Sequence, residues 1–319
     1  MRPCYHFRGV VVDTTIEAAW ADFKGRLQAA SLVVELAEPG LYANSAQFLD
    51  AYDGVNALLD RSFAALHAER WRFPAVEPKV HFERTDYVAS FPQLSAALSV
   101  FTGGNAEHVA LLREREETGD WEHLLDPAGL MMCPAACHQL YPVIGDVPTS
   151  GRTFDLTGPC FRREPSPDPA RLQYFHQHEY PFAGPVDQAL AHRDRAGQIM
   201  VDALRSLGLT IEYLPANDPF FGRAGRMLAK NQRDRALKYE MLCPIYGPDL
   251  PPVALGSANY HGDHFALEFG LRLPDGSPAH TSCVGIGLER VVLALFAQHG
   301  LCSADWPAAV RRQLWPAHR

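Results

Sequence analysis

Apolar positions along this chain follow a helical period first and a strand period later. Over 14–37 and 44–71 they recur every three to four residues. In the second stretch Phe48, Tyr52, Val55, Leu58, Leu59, Phe63 and Leu66 share one face. The pattern predicts helices over both stretches, a short strand over 78–82 after Pro74, and a helix over 105–117 with charges gathered at its end. From about residue 128 strands, turns and short helices take over. Segments 154–158 and 173–177 read as strands flanking a loop over 164–171, where Pro165, Ser166, Pro167, Asp168 and Pro169 supply turn chemistry. A helix is predicted over 186–207, stopped by Gly208. Antiparallel strands are predicted over 253–258 and 264–273. The turn Pro274-Asp275-Gly276 then leads into a strand and helix over 280–298. Strand-rich segments between long helices predict an α+β fold, an antiparallel sheet flanked by helices.

Composition narrows the classes. With 319 residues, 47% hydrophobic and 21% charged, the chain is expected to be a soluble globular protein with ample core. We expect a helical segment, 1–74, packed on a core domain, 75–319. A net charge of -8 argues against an extended nucleic-acid surface. There is no apolar run of the roughly 18 residues that a membrane span needs. The start, Met1-Arg2-Pro3-Cys4-Tyr5-His6, lacks the apolar core of a signal peptide. Seven widely spaced cysteines without a secretion signal point to a reducing cytoplasm, with thiols free or on a metal.

Two clusters carry chemistry. In Val284-Gly285-Ile286-Gly287-Leu288-Glu289-Arg290 the glycines let a helix start pack close to a strand. Arg290 in the first helical turns is a fixed cation for nucleotide phosphates. Alone, this run reads equally as a buried helix with a salt-bridged arginine. Upstream lie Cys160-Phe161-Arg162-Arg163-Glu164 and, past the loop, Arg171-Leu172-Gln173-Tyr174-Phe175-His176-Gln177-His178-Glu179. Two strands joined by a polar loop bring Arg162 and Glu164 beside Phe175. That supplies a cation for a phosphate, an acceptor for an adenine amine and a ring for stacking. The plainer alternative is an exposed, ion-paired hairpin.

Phe161-Arg162-x-Glu164 with Phe175-x-x-x-Glu179 resembles motif 2 of class II aminoacyl-tRNA synthetases, and Gly285-x-Gly287-x-x-Arg290 resembles their motif 3. The resemblance spans roughly residues 75–319 and implies that family's catalytic fold and adenylate chemistry. It implies that Arg162 holds the α-phosphate and the substrate carboxylate, and that Glu164 reads adenine. Arg171 would contact the outer phosphates, with Leu172 beside it at the loop's return. Phe175 would stack under the base and Arg290 cover it. Ala254, Leu255, Gly256 and Ser257 would line the nucleotide. Magnesium would neutralise the pyrophosphate, with Glu240 as a candidate carboxylate. Common seryl enzymes carry a glutamate near Val253, where this chain has none.

Pro134-Ala135-Ala136-Cys137 stands where seryl enzymes carry a Pro-Thr-x-Glu-like loop. Cys137, Glu179 and Cys283 then offer two thiolates, a carboxylate and an open position, a catalytic zinc pattern with one ion per subunit. The open position would take the amino group of the substrate. Cys133 competes with Cys137, and the thiols also read as small buried hydrophobes. Cys4, Cys160, Cys243 and Cys302 read as structural. This zinc pattern is similar to the atypical seryl-tRNA synthetases of methanogens and to their truncated relatives, the amino acid:[carrier protein] ligases. Asp218-Pro219-Phe220-Phe221-Gly222-Arg223, the stretch from Asn259 to Phe265, and Ala279-His280-Thr281-x-Cys283 resemble the latter group.

That resemblance implies activation of glycine or alanine with ATP and transfer to the phosphopantetheine thiol of a carrier protein. It also implies a homodimer, with no tRNA acceptor. Asp218 and Asn259 fall near the substrate or serve as turn and cap residues. The run 223–238 sets Arg223, Arg226, Lys230, Arg233, Arg235 and Lys238 against Asp234. It reads as a solvated helix face or as a dock for an acidic carrier helix. The segment before residue 75 is not notably basic, which speaks against a tRNA-binding domain. The alternatives are a tRNA-charging enzyme of the same fold and a catalytically inactive regulatory paralogue. Intact Arg162, Glu164 and Arg290 count against the second.

Overall fold

The computed structural model describes residues 14–216 and 237–316. Helix α1 (Thr14–Ala29) buries Phe23 and Leu27. The helix expected to reach residue 37 ends at Ala29, because Ser31 turns left-handed (φ 55) and the β-branched Val33-Val34 pair extends. A ribbon of β1 (Val33–Glu35) and β2 (Tyr42–Asn44) follows. Helix α2 (Ala46–Phe63) starts at Ser45, whose hydroxyl accepts from the Phe48 amide, and buries Phe48, Val55, Leu58, Leu59 and Phe63. It too is shorter than expected. His67 (φ 47) breaks the period, and Glu69–Trp71 forms strand β3.

The piece expected as a strand over 78–82 splits. Val76–Pro78 is β4, and Lys79–Phe82 is the one-turn helix α3, started by Pro78. Past α4 (Tyr87–Ser90), strand β5 (Ala97–Val100) and β6 (Asp126–Met132) join β4 in a three-stranded sheet, order β4-β6-β5. Between them α5 (Asn105–Glu117) matches its predicted bounds and buries none of its residues.

The remaining elements are β7 (Arg152–Phe161), β8 (Tyr174–Gly184), α6 (Val186–Ser206), β9 (Glu212–Pro215), β10 (Lys238–Cys243), β11 (Val253–Gly262), α7 (His264–Phe269), β12 (His280–Gly287), α8 (Leu288–His299) and α9 (Ala308–Leu314). The seven-stranded sheet runs β3-β7-β8-β12-β11-β10-β9; only β3 and β7 pair in parallel. The α+β expectation therefore holds. The strand expected over 264–273 is instead α7, ended by Gly270 at φ 75. Phe265, Leu267 and Phe269 alternate like a strand, but Leu267 is 59% exposed and the adjacent Phe265 and Ala266 are both buried.

One face of the large sheet packs on α2, α6 and α8. Phe48, Val55 and Leu59 meet Met200, Leu204, Val284, Ile286, Val291 and Leu295 there. The stretch before residue 75 thus contributes α2 and β3 to the same core and sheet. Among the described residues no helix is long and apolar enough to cross a membrane.

Candidate functional site

Side chains alternate across a strand. Val284 and Ile286 are core residues, so Cys283, Gly285 and Gly287 face away from the helices. Register sets Glu179, Gly285, Ser257 and Glu240 in one row across β8, β12, β11 and β10. A neighbouring row holds Gly158, Gln177 and Gly287. The glycines strip this face of side chains and leave a floor. At Gly285 the fit is tight: a Cβ there would stand 2.6 Å from Glu179 Cγ.

At one end of the floor three buried donors meet. Cys283 Sγ lies 3.5 Å from Glu179 Oε2, and with Cys137 the donor atoms all fall within 4.8 Å of one another. Consecutive turns deliver Cys137: the His138 amide donates to Ala135 O at 3.1 Å and the Leu140 amide to Cys137 O at 3.0 Å. Gln177 Oε1 accepts from the Ala136 amide at 3.1 Å and fastens the turn to the floor. Cys133 sits outside the cluster, its thiol donating to Ala135 O at 3.0 Å.

Burial pushes the Glu179 carboxyl up and the Cys283 thiol far up. Each anion is disfavoured alone, and a shared divalent cation would reverse that penalty. Two sulfurs and a carboxylate with one position left open fit zinc. The Tyr141 hydroxyl stands beside Cys137, and its ring stacks on Phe265 at 4.1 Å. Sequence reading missed Tyr141, which sits among irregular turns where no periodicity marks it.

A second group, Asp60, Asp155 and His178, also gathers donor atoms. There, however, Asn56 and Asp155 occupy the two His178 ring nitrogens at 2.8 and 2.9 Å, and Arg70 pairs with Asp60 at 3.0 Å. The donor atoms of that network are already engaged with one another and with Arg70.

The arginines occupy the other end of the floor. Arg162 leaves β7, donates from Nε to Pro134 O at 3.0 Å, and holds its guanidinium carbon 5.4 Å from the Phe175 ring centre. Arg171 and Glu164 are paired with each other. Arg290 begins α8. Its Nε donates to Ala170 O at 2.7 Å and its Nη1 to Ala254 O at 2.9 Å. Glu289 steadies that helix start by accepting from the His176 amide at 2.8 Å. Burial, and then the charges of Arg171 and Arg162, lower the Arg290 pKa. The three guanidinium groups therefore lie near enough to repel one another, with Glu164 among them.

Asn259, opposite Cys283 in the register, donates to Ser257 Oγ at 2.9 Å. The side chains of Leu172 and Leu255 belong to the core, so each offers a nucleotide only backbone. Gly256 packs on Ile286 on the core side. Glu240 is ion-paired with Lys238 at 2.9 Å. Asp218 and most of the run 223–238 lie outside the described residues.

No family model matches the sequence. Over 286 residues the chain is 39% identical to amino acid–[acyl-carrier-protein] ligase 2 of Bradyrhizobium diazoefficiens, covering 89% of this chain and 85% of that protein. It is 26% identical over 219 residues to the type-2 serine–tRNA ligase of Methanopyrus kandleri, covering 64% of this chain and 41% of that one. Among solved structures, the Methanopyrus kandleri seryl-tRNA synthetase bound to Aquifex aeolicus tRNA superimposes with a TM-score of 0.77 at 22% identity, over 98% of this chain and 61% of that chain. The fold is that of class II aminoacyl-tRNA synthetases.

Proposed function

The chain belongs to the amino acid–[acyl-carrier-protein] ligase family, and from that premise we propose that it joins glycine or alanine to the phosphopantetheine thiol of a carrier protein through an aminoacyl-adenylate. One observation carries this reading: the donor cluster and the arginines open on the same glycine floor, and β12 with α8 delivers both Cys283 and Arg290. Zinc fits the donor set Cys137, Glu179 and Cys283, and when bound would supply an open position for the substrate's amino group.

In the first step the amino-acid carboxylate attacks the α-phosphorus of ATP in line, a C–O–P linkage forms and pyrophosphate leaves. Catalysis of such a step is positioning plus electrostatic stabilisation. Arg162, held over Phe175, faces the α-phosphate. Glu164 must exchange Arg171 for the adenine amine, which frees Arg171 for the outer phosphates. Arg290 closes over the base. Magnesium would enter with ATP. Glu240 is taken up by Lys238 and the residues make no dedicated magnesium site, so no step is derived through it. In the second step the carrier thiol loses its proton, attacks the adenylate carbonyl and expels AMP. No enzyme thiol forms an acyl bond.

The stacked Tyr141 and Phe265 beside the donor cluster support a small side chain. One methylene is worth only about 1–3 kcal/mol, so glycine and alanine should differ modestly. Carrier docking at the basic run 223–238 rests on its charge alone. Reversing Arg226 and Lys230 should slow transfer and leave adenylate formation unchanged. A homodimer and a catalytic unit over 75–319 come from the resemblance and a cytoplasmic setting from the cysteine pattern; all three belong to the same proposal.

The test is ATP–pyrophosphate exchange with each amino acid in turn, followed by transfer to a phosphopantetheinylated carrier. Exchange with glycine or alanine and a thioester on the carrier are expected. Charging of tRNA by the pure chain, or exchange with no amino acid, overturns the reading.

A further inference from the structure

The loop over 162–173 has no regular secondary structure, so its shape must come from contacts elsewhere. Several come from a turn far upstream, between β1 and β2. Gly40 O accepts from the Gln173 amide at 2.9 Å, and Pro39 O accepts from Gln173 Nε2 at 2.7 Å. Glu38 takes the Arg163 guanidinium, which also donates to Gln173 Oε1 at 2.7 Å. Gln173 is 1% exposed, so its amide makes its hydrogen bonds inside the protein. At φ 81 Gly40 has a conformation that favours glycine, and a Cβ there would stand 3.1 Å from Arg171 O and 3.3 Å from Gln173 Cγ.

These bonds lead to Arg162, Gly40 abuts the Arg171 carbonyl, and a separate set held by Tyr246 leads on to Arg290. Gln173 O accepts from the Arg162 amide at 2.8 Å. Asp168, bonded by the Tyr246 hydroxyl, accepts from the Ala170 amide at 2.8 Å and, through its carbonyl, from the Arg171 amide at 3.0 Å. The Ala170 carbonyl, so fixed, receives Arg290 Nε at 2.7 Å. We propose that Glu38, Gly40 and Gln173 are positioning residues for ATP: a turn outside the arginine cluster sets Arg162 and Arg171 in place. This rests on the adenylate reading.

The experiment compares Gln173→Ala, Gly40→Val and Glu38→Gln with the unmodified full chain in ATP–pyrophosphate exchange. Metal content and thermal unfolding are measured alongside. A misplacement of about 1 Å can cost on the order of 100-fold, so KM for ATP should rise by roughly 10- to 100-fold in Gln173→Ala and Gly40→Val. A smaller rise is expected in Glu38→Gln, with partial rescue by Glu38→Asp. Metal content should hold in all three variants, and the unfolding midpoint in Glu38→Gln. Unchanged KM for ATP in folded variants overturns the proposal. So does a parallel loss of ATP affinity and metal content, which is the signature of a merely structural turn. If the unmodified chain shows no exchange, the adenylate reading fails first. ATP binding by calorimetry, unmodified chain against variants, then decides the clamp separately, and no ATP binding at all rejects both.

Discussion

Cys137, Glu179 and Cys283 meet because strand register and a hydrogen-bonded turn hold them together, whereas Arg162, Arg171 and Arg290 meet through a loop and a helix start. The donors bury two thiols against a carboxyl; burial raises the Glu179 pKa, and the thiol hydrogen bonds and Arg162 only partly offset it. The arginines are satisfied already, by Glu164 and by backbone carbonyls. On the proposed reading one region would take a cation, and the other would accept an anion only by exchanging partners. A rigid sheet suits the first task and an adjustable loop the second.

The largest effect should come from removing a donor. Cys283→Ser should lose bound metal, read by elemental analysis, and abolish exchange. ATP binding, read by calorimetry, should persist; its disappearance would mean the two regions are one. Next comes Arg290→Ala, expected to lower kcat/KM for ATP by about 100- to 1,000-fold through lost electrostatic stabilisation, with metal content intact.

Glu77 sharpens the donor side. It is fully buried, near Cys133 and 3.9 Å from the His138 ring, and burial raises its carboxyl to about 7 from 4.5. With the folded pKa above the unfolded one, stability is full below the unfolded value and falls as pH rises toward 7. The change is about 3 kcal/mol at roughly 1.4 kcal/mol per pH unit. Denaturant unfolding of Glu77→Gln against pH should lose that slope; a parallel curve refutes the assignment.

The smallest effect belongs to Gly285→Ala. The added methyl meets Glu179 Cγ and should destabilise by about 1–3 kcal/mol, while metal affinity falls roughly 10-fold or more as the ligand is displaced. Unchanged metal affinity would show that Glu179 has room to move.

Much of this was legible because it is local. The glycines and Arg290 sit in one strand–helix step, and the period of α2 is printed in Phe48, Val55, Leu59 and Phe63. Where sequence reading failed, local patterns were ambiguous. Left-handed Ser31 and His67 cut two helices short without a glycine to announce it. The alternation Phe265-Leu267-Phe269 passed for a strand because it does not reveal which neighbour is buried. Gln173 and Tyr141 were silent for the same reason: their partners lie on other elements.

The sequence alone determined the α+β class and the arginine and glycine spacings, since each is a short-range pattern; the metal donors came from family resemblance, with Cys133 and Cys137 both open. Only the tertiary structure decided that Cys137 rather than Cys133 joins Glu179 and Cys283, that Glu164 and Arg171 hold each other, and that Glu38 and Gly40 contact a loop more than a hundred residues downstream. Those are matters of register and closure, and nothing in the neighbouring residues encodes which distant strand or turn will arrive.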